Sequence, residues 1–425
     1  MTEKILSKPR ITVIDALRGF ALLGVILVHM NQHYSYRSMG PFLPHESILT
    51  EWNDTASWLI WSVMLGRFIN IFAFLFGMSF FIQMDRAAEK GVNFGGRFLW
   101  RMVILFVIGL IGTCFYSGDI LSIYAVFGII MLFLNRFKNW VLILIAVLLL
   151  AGAPRLIMIG YNQLTAPPAT EQMVSNENRP QRPRPNAEPQ ERPKPTFLQV
   201  AKENLTSGTM GKLNYQFMGG NRGYITLAIF ILGLVVGRTR FFETVHLNRS
   251  RNWKLLGIFI VALLFFNWLI TLFPAQESLW RSMRNGGVPS ASALTVQALS
   301  DFSMVLSSAV LAMVFIVLYQ YRGFKTVLGQ LAPYGRMGLT NYVSQSIIGA
   351  LLFALWAWGS YFGAWQAAEV MLLGLAVYII QVIVCKVWLN HFQYGPLEWL
   401  WRSLTYFNKQ PFLKKQSEGS LLIQG

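Results

Sequence analysis

The sequence predicts an all-α fold: a polytopic helical membrane protein of about ten transmembrane helices with both termini cytoplasmic. Three observations carry this. Of the 425 residues, 54% are hydrophobic and only 13% charged, against roughly 25% charged in a soluble domain. So few charges cannot cover a water-facing surface. The apolar residues also come in runs of roughly 20, the length that crosses a bilayer as a helix. Strands of a closed barrel would alternate over about ten residues, and these runs do not. Finally, the charge is placed asymmetrically along the chain. Of the 36 basic residues, 21 fall in short segments on the N-terminal side of the spans and 3 (Arg37, Arg281 and Arg284) on the other. That bias puts both ends in the cytoplasm and makes the span number even. It also accounts for the net charge of +17 without nucleic acid.

In chain order the runs are 12–30, 62–83, 99–117, 120–134, 139–160, 223–240, 254–273, 296–319, 339–360 and 366–389. The first carries Asp15 and Arg18 inside its apolar stretch and lacks a small-residue cleavage site, so it reads as a retained anchor helix. The third and fourth are parted by Ser117-Gly118-Asp119 and form a tight hairpin. Residues 162–222 hold eight of the 17 prolines and read as a largely disordered extracytoplasmic loop. The divisions expected are an N-terminal transmembrane bundle (1–161), this loop, a C-terminal transmembrane domain (223–406) and a cytoplasmic tail (407–425). Within the C-terminal domain, NHFQYGPLEWLWRSLTYF is too short and aromatic to span. It reads as an amphipathic cytoplasmic helix with a Glu398–Arg402 pair at i, i+4.

Ionisable residues inside spans are costly in lipid, which makes each a functional candidate. Asp15 and Arg18 stand at i, i+3 on the first helix. Eleven helical steps separate Arg18 from His29, which returns to nearly the same face about 16 Å away. One stripe thus has a cation toward the cytoplasm and a titratable base toward the outside. His33 follows one turn later and is expected in water. Arg67 and Asn70 lie one turn apart near the outer leaflet, with Asp119 the expected partner of Arg67. Asn341 and Gln345 are i, i+4 amides that either join helices or line a polar path. His45, His246 and His391 have no carboxylate or histidine at ligand spacing, and Cys114 and Cys385 have no ligand-type neighbours, so no metal and no bound cofactor is expected. Nucleotide P-loops, zinc-protease and hydrolase-elbow motifs are absent from the sequence.

Six segments resemble the YeiB-like membrane proteins (domain of unknown function 418). They are IDALRGFALLGVILVHM, LGRFINIFAFLFGMSFF, SGDILSIYAVFG, ILGLVVGR, YGRMGLTNYVSQSIIG and FQYGPLEWLWRSLTY. The resemblance implies a multi-pass protein of the bacterial inner membrane. The DxxRG element (Asp15, Arg18, Gly19) is also similar to the first span of transmembrane acyltransferases. The Arg18–His29 spacing is similar to the signature of bacterial family-3 acyltransferases. That wider resemblance implies transfer from cytoplasmic acyl-CoA to an extracytoplasmic acceptor such as a glycan or envelope component. His29, Arg18 and Asp15 would then be catalytic, and Arg67, Asn70, Asp119, Asn341 and Gln345 would bind substrate. The residues taken alone equally suit a small-molecule exporter or a membrane protein without catalysis. Beyond the bilayer and these substrates no partner is expected, and the oligomeric state is open.

Overall fold

A computed structural model describes residues 11–39, 42–165, 194–219, 221–274, 279 and 288–414. The stretch 166–193, Arg281, Arg284 and the tail beyond 414 lie outside these residues. The chain is a multi-pass, all-helical membrane protein, and the elements that position the site are fourteen helices. They are α1 (Thr12–Asn31), α2 (Arg67–Ala88), α3 (Gly95–Phe115), α4 (Leu121–Leu134), α5 (Asn139–Leu150) and α6 (Ala153–Thr165). They continue with α7 (Phe197–Met218), α8 (Arg222–Arg238), α9 (Arg249–Thr271) and α10 (Ala291–Tyr319). The last four are α11 (Ala332–Arg336), α12 (Gly338–Phe353), α13 (Ala367–His391) and α14 (Pro396–Tyr406).

Every predicted apolar run becomes helix. Among the described residues six helical stretches are long and apolar enough to cross a membrane, and eight if two bent pairs each count as one. One pair is α5 and α6, bent by 54° at Gly152, whose φ of +83° is a left-handed conformation open to glycine. The other is α7 and α8, bent by 66°. α4 has 14 residues, about 21 Å of helix, short of the roughly 30 Å hydrocarbon core. The second run lies in a helical stretch that reaches back to Thr50 and is interrupted once. Gly66, at φ +79°, breaks the backbone so that α2 begins at Arg67.

α1 lies at the centre. Its apolar window is 78% buried, whereas that of α9 is 6% buried and is left for lipid. It packs on α2, α11, α12 and α13, so helices from both halves of the chain surround it. Two buried apolar clusters stack along it. One holds Leu22, Ile26 and Met30 with α3, α4 and α8, and the other holds Ala16 and Leu17 with Phe242, Phe315 and Ile316. Close crossings depend on small residues. A side chain at Gly335 would collide with the carbonyl of Asp15, and side chains at Gly77 and Gly233 would collide with backbone of α8 and α2 respectively.

The basic segments gather at one end, as the charge bias predicts. Arg238 donates to Asn135 and Asn139, Arg240 pairs with Asp85 at 2.9 Å, and Arg249 donates to the carbonyl of Gln320. Residues 194–218 depart from the loop reading. They are helical, and they dock on the α3–α4 turn through Asn204, which donates to the Cys114 carbonyl. A run of prolines governs only its own neighbourhood, and Thr196 starts a capped helix immediately after it.

Candidate functional site

On α1, Asp15 is buried and accepts from Arg18 at 3.1 Å. The same guanidinium donates to Ser79 Oγ of α2 at 3.1 Å and to the Gly335 carbonyl at 3.3 Å. Tyr378 of α13 donates to the Gly19 carbonyl at 2.9 Å. The DxxRG element is therefore a joint that ties α1 to α2, α11 and α13, and Arg18 is held by protein groups on several sides. His29 lies at the opposite end of the helix, against the rings of Tyr116 (centroids 4.9 Å apart) and Tyr34 (5.5 Å). His33, expected in water, is buried. Its Nδ1 lies 3.1 Å from the Asn31 carbonyl and its Nε2 3.1 Å from the Trp365 carbonyl. A positive φ at His33 turns the chain back under the bundle, which carries the ring inward instead of up the helix stripe.

Asp119 does not meet Arg67. It sits buried in the α3–α4 turn, where Oδ1 accepts from the Leu121 amide at 2.9 Å. Its other oxygen, Oδ2, is buried without a hydrogen bond, facing Gly112. The nearby cation is Lys212 of α7, which donates to the Asp119 carbonyl at 3.0 Å and lies 3.4 Å from Thr113 Oγ1. Burial pushes the Asp119 carboxyl up to about 7, against the opposing pull of the Leu121 amide and Lys212. Lys212 was missed because it falls inside the stretch read as disordered. Arg67 instead donates to the Leu65 carbonyl at 3.2 Å.

Asn70 belongs to a second polar cluster. Its amide donates to Ser308 Oγ at 3.1 Å and accepts from Arg222 at 3.4 Å, while Arg222 also reaches the Gly66 carbonyl. A fully buried ion pair, Arg155–Asp301 at 2.7 Å, belongs to the same region, and Gln297 donates to the free oxygen of Asp301. Sequence reading left Arg222 at the edge of the extramembrane loop and did not single out Arg155 in the fifth apolar run. Asp301 carried a usable signal, an acid inside the eighth apolar run.

Asn341 and Gln345 join helices. Asn341 donates to the Tyr334 carbonyl and meets Cys385 Sγ, and Gln345 donates to the Tyr334 hydroxyl, which in turn donates to Gln381 of α13. Glu398 does not pair with Arg402. It accepts from the amides of Leu339 (2.7 Å) and Thr340 (3.1 Å) and from Thr340 Oγ1 (2.5 Å), capping the start of α12 from a different helix. His45 lies 3.0 Å from Glu369, a carboxylate more than three hundred residues away in sequence.

Two cavities complete the picture. One of about 560 Å³ opens at the basic end and reaches the foot of α1 at Thr12 and Val13. The other, about 710 Å³, lies at the opposite end and is walled by Trp358, Tyr361 and Trp365 beside His45. Arg18 and His29 line neither.

The motifs that tie α11, α12 and α14 together lie where the family comparison matches. The model described as "Protein of unknown function (DUF418)" covers residues 236–408. The C-terminal part of this chain belongs to that family. Similarity to whole proteins extends further. The uncharacterized protein YxaH of Bacillus subtilis is 27% identical over 96% of this chain and 98% of its own length. The uncharacterized 39.9 kDa protein in the amylase 3′ region of Bacillus acidopullulyticus is 27% identical over 96% and 97%. The uncharacterized protein YeiB of Escherichia coli is 25% identical over 96% and 99%. The DUF418 segment begins inside α8 and ends just beyond α14.

Proposed function

We propose that this chain is an acyltransferase of the bacterial inner membrane that moves an acyl group from cytoplasmic acyl-CoA to an extracytoplasmic acceptor such as a glycan or envelope component. One observation carries the reading: α1 is the most enclosed of the candidate spans, with its charged joint at one end and His29 at the other. A helix placed so links the two compartments inside the bundle, where a thioester arm is shielded from lipid.

In this reading His29 is the general base. The acceptor hydroxyl or amine attacks the thioester carbonyl as His29 takes its proton. The new C–O or C–N bond forms, the C–S bond breaks, and the proton passes to the departing thiolate. Tyr34 and Tyr116 enclose the imidazole, and Asp119 lies in the same turn as Tyr116. Arg18 and Asp15 act as positioning residues, because their hydrogen bonds are spent on holding α1 in register with α2 and α11. Asn341 and Gln345 likewise hold the scaffold in place of substrate.

Membranes containing the full chain, given radiolabelled acetyl-CoA, test this directly. Labelled protein or envelope product is expected, and it should be lost in His29→Ala while the variant still folds. Absence of labelling in wild type, or unchanged labelling in His29→Ala, refutes the proposal. Solute flux independent of acyl-CoA would establish the exporter reading instead.

A further inference from the structure

The 560 Å³ cavity has a chemistry that the acyl-transfer reading did not require. Its floor is apolar, built from Met78 and Phe81 of α2, Val236 of α8, Ile316 of α10 and Phe242. Its rim carries Arg86, Arg240, Arg249 and Lys325, with His246 beside them and only two carboxylates, Asp85 and Glu243. Arg240 is committed to Asp85 and lies 3.8 Å from both Glu89 and Glu243. Arg249 donates to the Gln320 carbonyl and lies over the Tyr321 ring. The Arg86 and Lys325 side chains are exposed and have no hydrogen-bond or ion-pair partner among the described residues.

We propose that this cavity is a binding site for a phosphate-bearing amphiphile, with phosphate at Arg86 and Lys325 and the apolar portion on the Met78–Phe81–Ile316 floor. The volume is that of a small-molecule site. Arg240 is offset by Asp85, Glu89 and Glu243, which leaves Arg86 and Lys325 as the cations open to an anion. Guanidinium and ammonium groups are the natural donors to phosphate oxygens, and a ligand without phosphate leaves them unmatched. A free phosphate, conversely, leaves the apolar floor uncovered. The shared chemistry belongs to an acyl-CoA and to an anionic phospholipid headgroup alike. As the seat of an acyl donor the site rests on the acyl-transfer reading, but as a binding site it stands on the cavity alone.

The test uses the purified full chain in phosphatidylcholine nanodiscs, titrated with palmitoyl-CoA, coenzyme A and inorganic phosphate. Palmitoyl-CoA should bind most tightly, weaken with salt, and lose about tenfold or more in affinity in Arg86→Gln/Lys325→Gln. Both residues are exposed, so this variant should fold. Arg136→Gln/Lys138→Gln, which removes the same charge from the same end away from the cavity, should bind as wild type does. Nanodiscs containing phosphatidylglycerol separate the two sources. If that lipid excludes palmitoyl-CoA and protects wild type but not Arg86→Gln/Lys325→Gln from thermal unfolding, the headgroup is the resident ligand. The proposal is overturned if the cavity variant binds like wild type, if both variants weaken equally, or if inorganic phosphate binds as tightly as palmitoyl-CoA. Palmitoyl-CoA binding at this site alongside absent transfer in the wild-type chain would sink the acyl-transfer reading while leaving this site standing.

Discussion

Glu398 offers the sharpest check on how the C-terminal motifs work. The first amides of α12 have no partners within their own helix, and Glu398 of α14 supplies one carboxylate to three donors at 2.7, 3.1 and 2.5 Å. Hydrogen bonds to a charged group contribute about 1.5–3 kcal/mol each. Glu398 is only partly buried, so water recovers some of that on deletion, and Glu398→Ala should cost about 3–4 kcal/mol. Glu398→Gln keeps an accepting oxygen and should cost about 1 kcal/mol. Arg402→Gln should cost less than Glu398→Ala, because its guanidinium lies over the Tyr394 and Tyr406 rings instead of meeting Glu398. Thermal unfolding of the purified chain in detergent, followed by size-exclusion of the surviving monodisperse fraction, reads the order. Glu398→Ala should melt about 5–10 °C lower. A double-mutant cycle with Thr340→Val should show coupling of about 1 kcal/mol or more. If Glu398→Ala melts as wild type does, or if Arg402→Gln reproduces its loss and couples to it, then the surface-pair reading is right and the capping account fails.

Four further outcomes follow from the same geometry. Folding holds a proton on Asp119 that the unfolded chain has released between its ordinary value of 3.8 and about 7, so stability should fall as pH rises through that window and level off above it. Asp119→Asn should flatten this dependence in melts from pH 5 to 8, and an unchanged slope would remove Asp119 as its source. Breaking the buried Arg155–Asp301 pair by Asp301→Asn should cost about 3–5 kcal/mol, with the pairwise replacement Arg155→Met/Asp301→Leu recovering much of it, as read by yield and melting temperature. Arg18→Ala should lower both stability and any transfer activity, since it releases α1 from Ser79 and Gly335 and removes the Arg18–Asp15 pair. His29→Ala, which gives up ring contacts, should change activity with a melting shift within about 1 kcal/mol.

Much of the fold was legible because lipid imposes a simple rule on sequence. Each apolar run became helix, and the basic residues that marked one side do meet at one end, through Arg238, Arg240 and Arg249. Charged residues inside runs were also visible: Asp15 and Arg18 form the pair their spacing allows. What sequence reading missed depended on bends and distant partners. Gly152 folds one run into two helices, a bend that hydropathy does not show. Lys212 was hidden behind a proline-rich neighbour. Glu398 had Arg402 four residues away, a reasonable partner on an isolated helix, yet the packed structure offered it the first amides of α12, which have no partner within their own helix.

By itself, then, the sequence determined that this is a helical membrane protein, which runs are apolar enough to form its helices, and which residues in those runs are chemically unusual. Composition and period suffice for that because burial in lipid acts on each helix separately. Only the tertiary structure decided what those residues do to one another. It placed Arg18 in a joint, gave Asp119 to Lys212 and not Arg67, and gathered Arg86 and Lys325, from segments more than two hundred residues apart, on the rim of one cavity. Partnership depends on which helices cross and at what depth, and side-chain packing across the whole chain sets that.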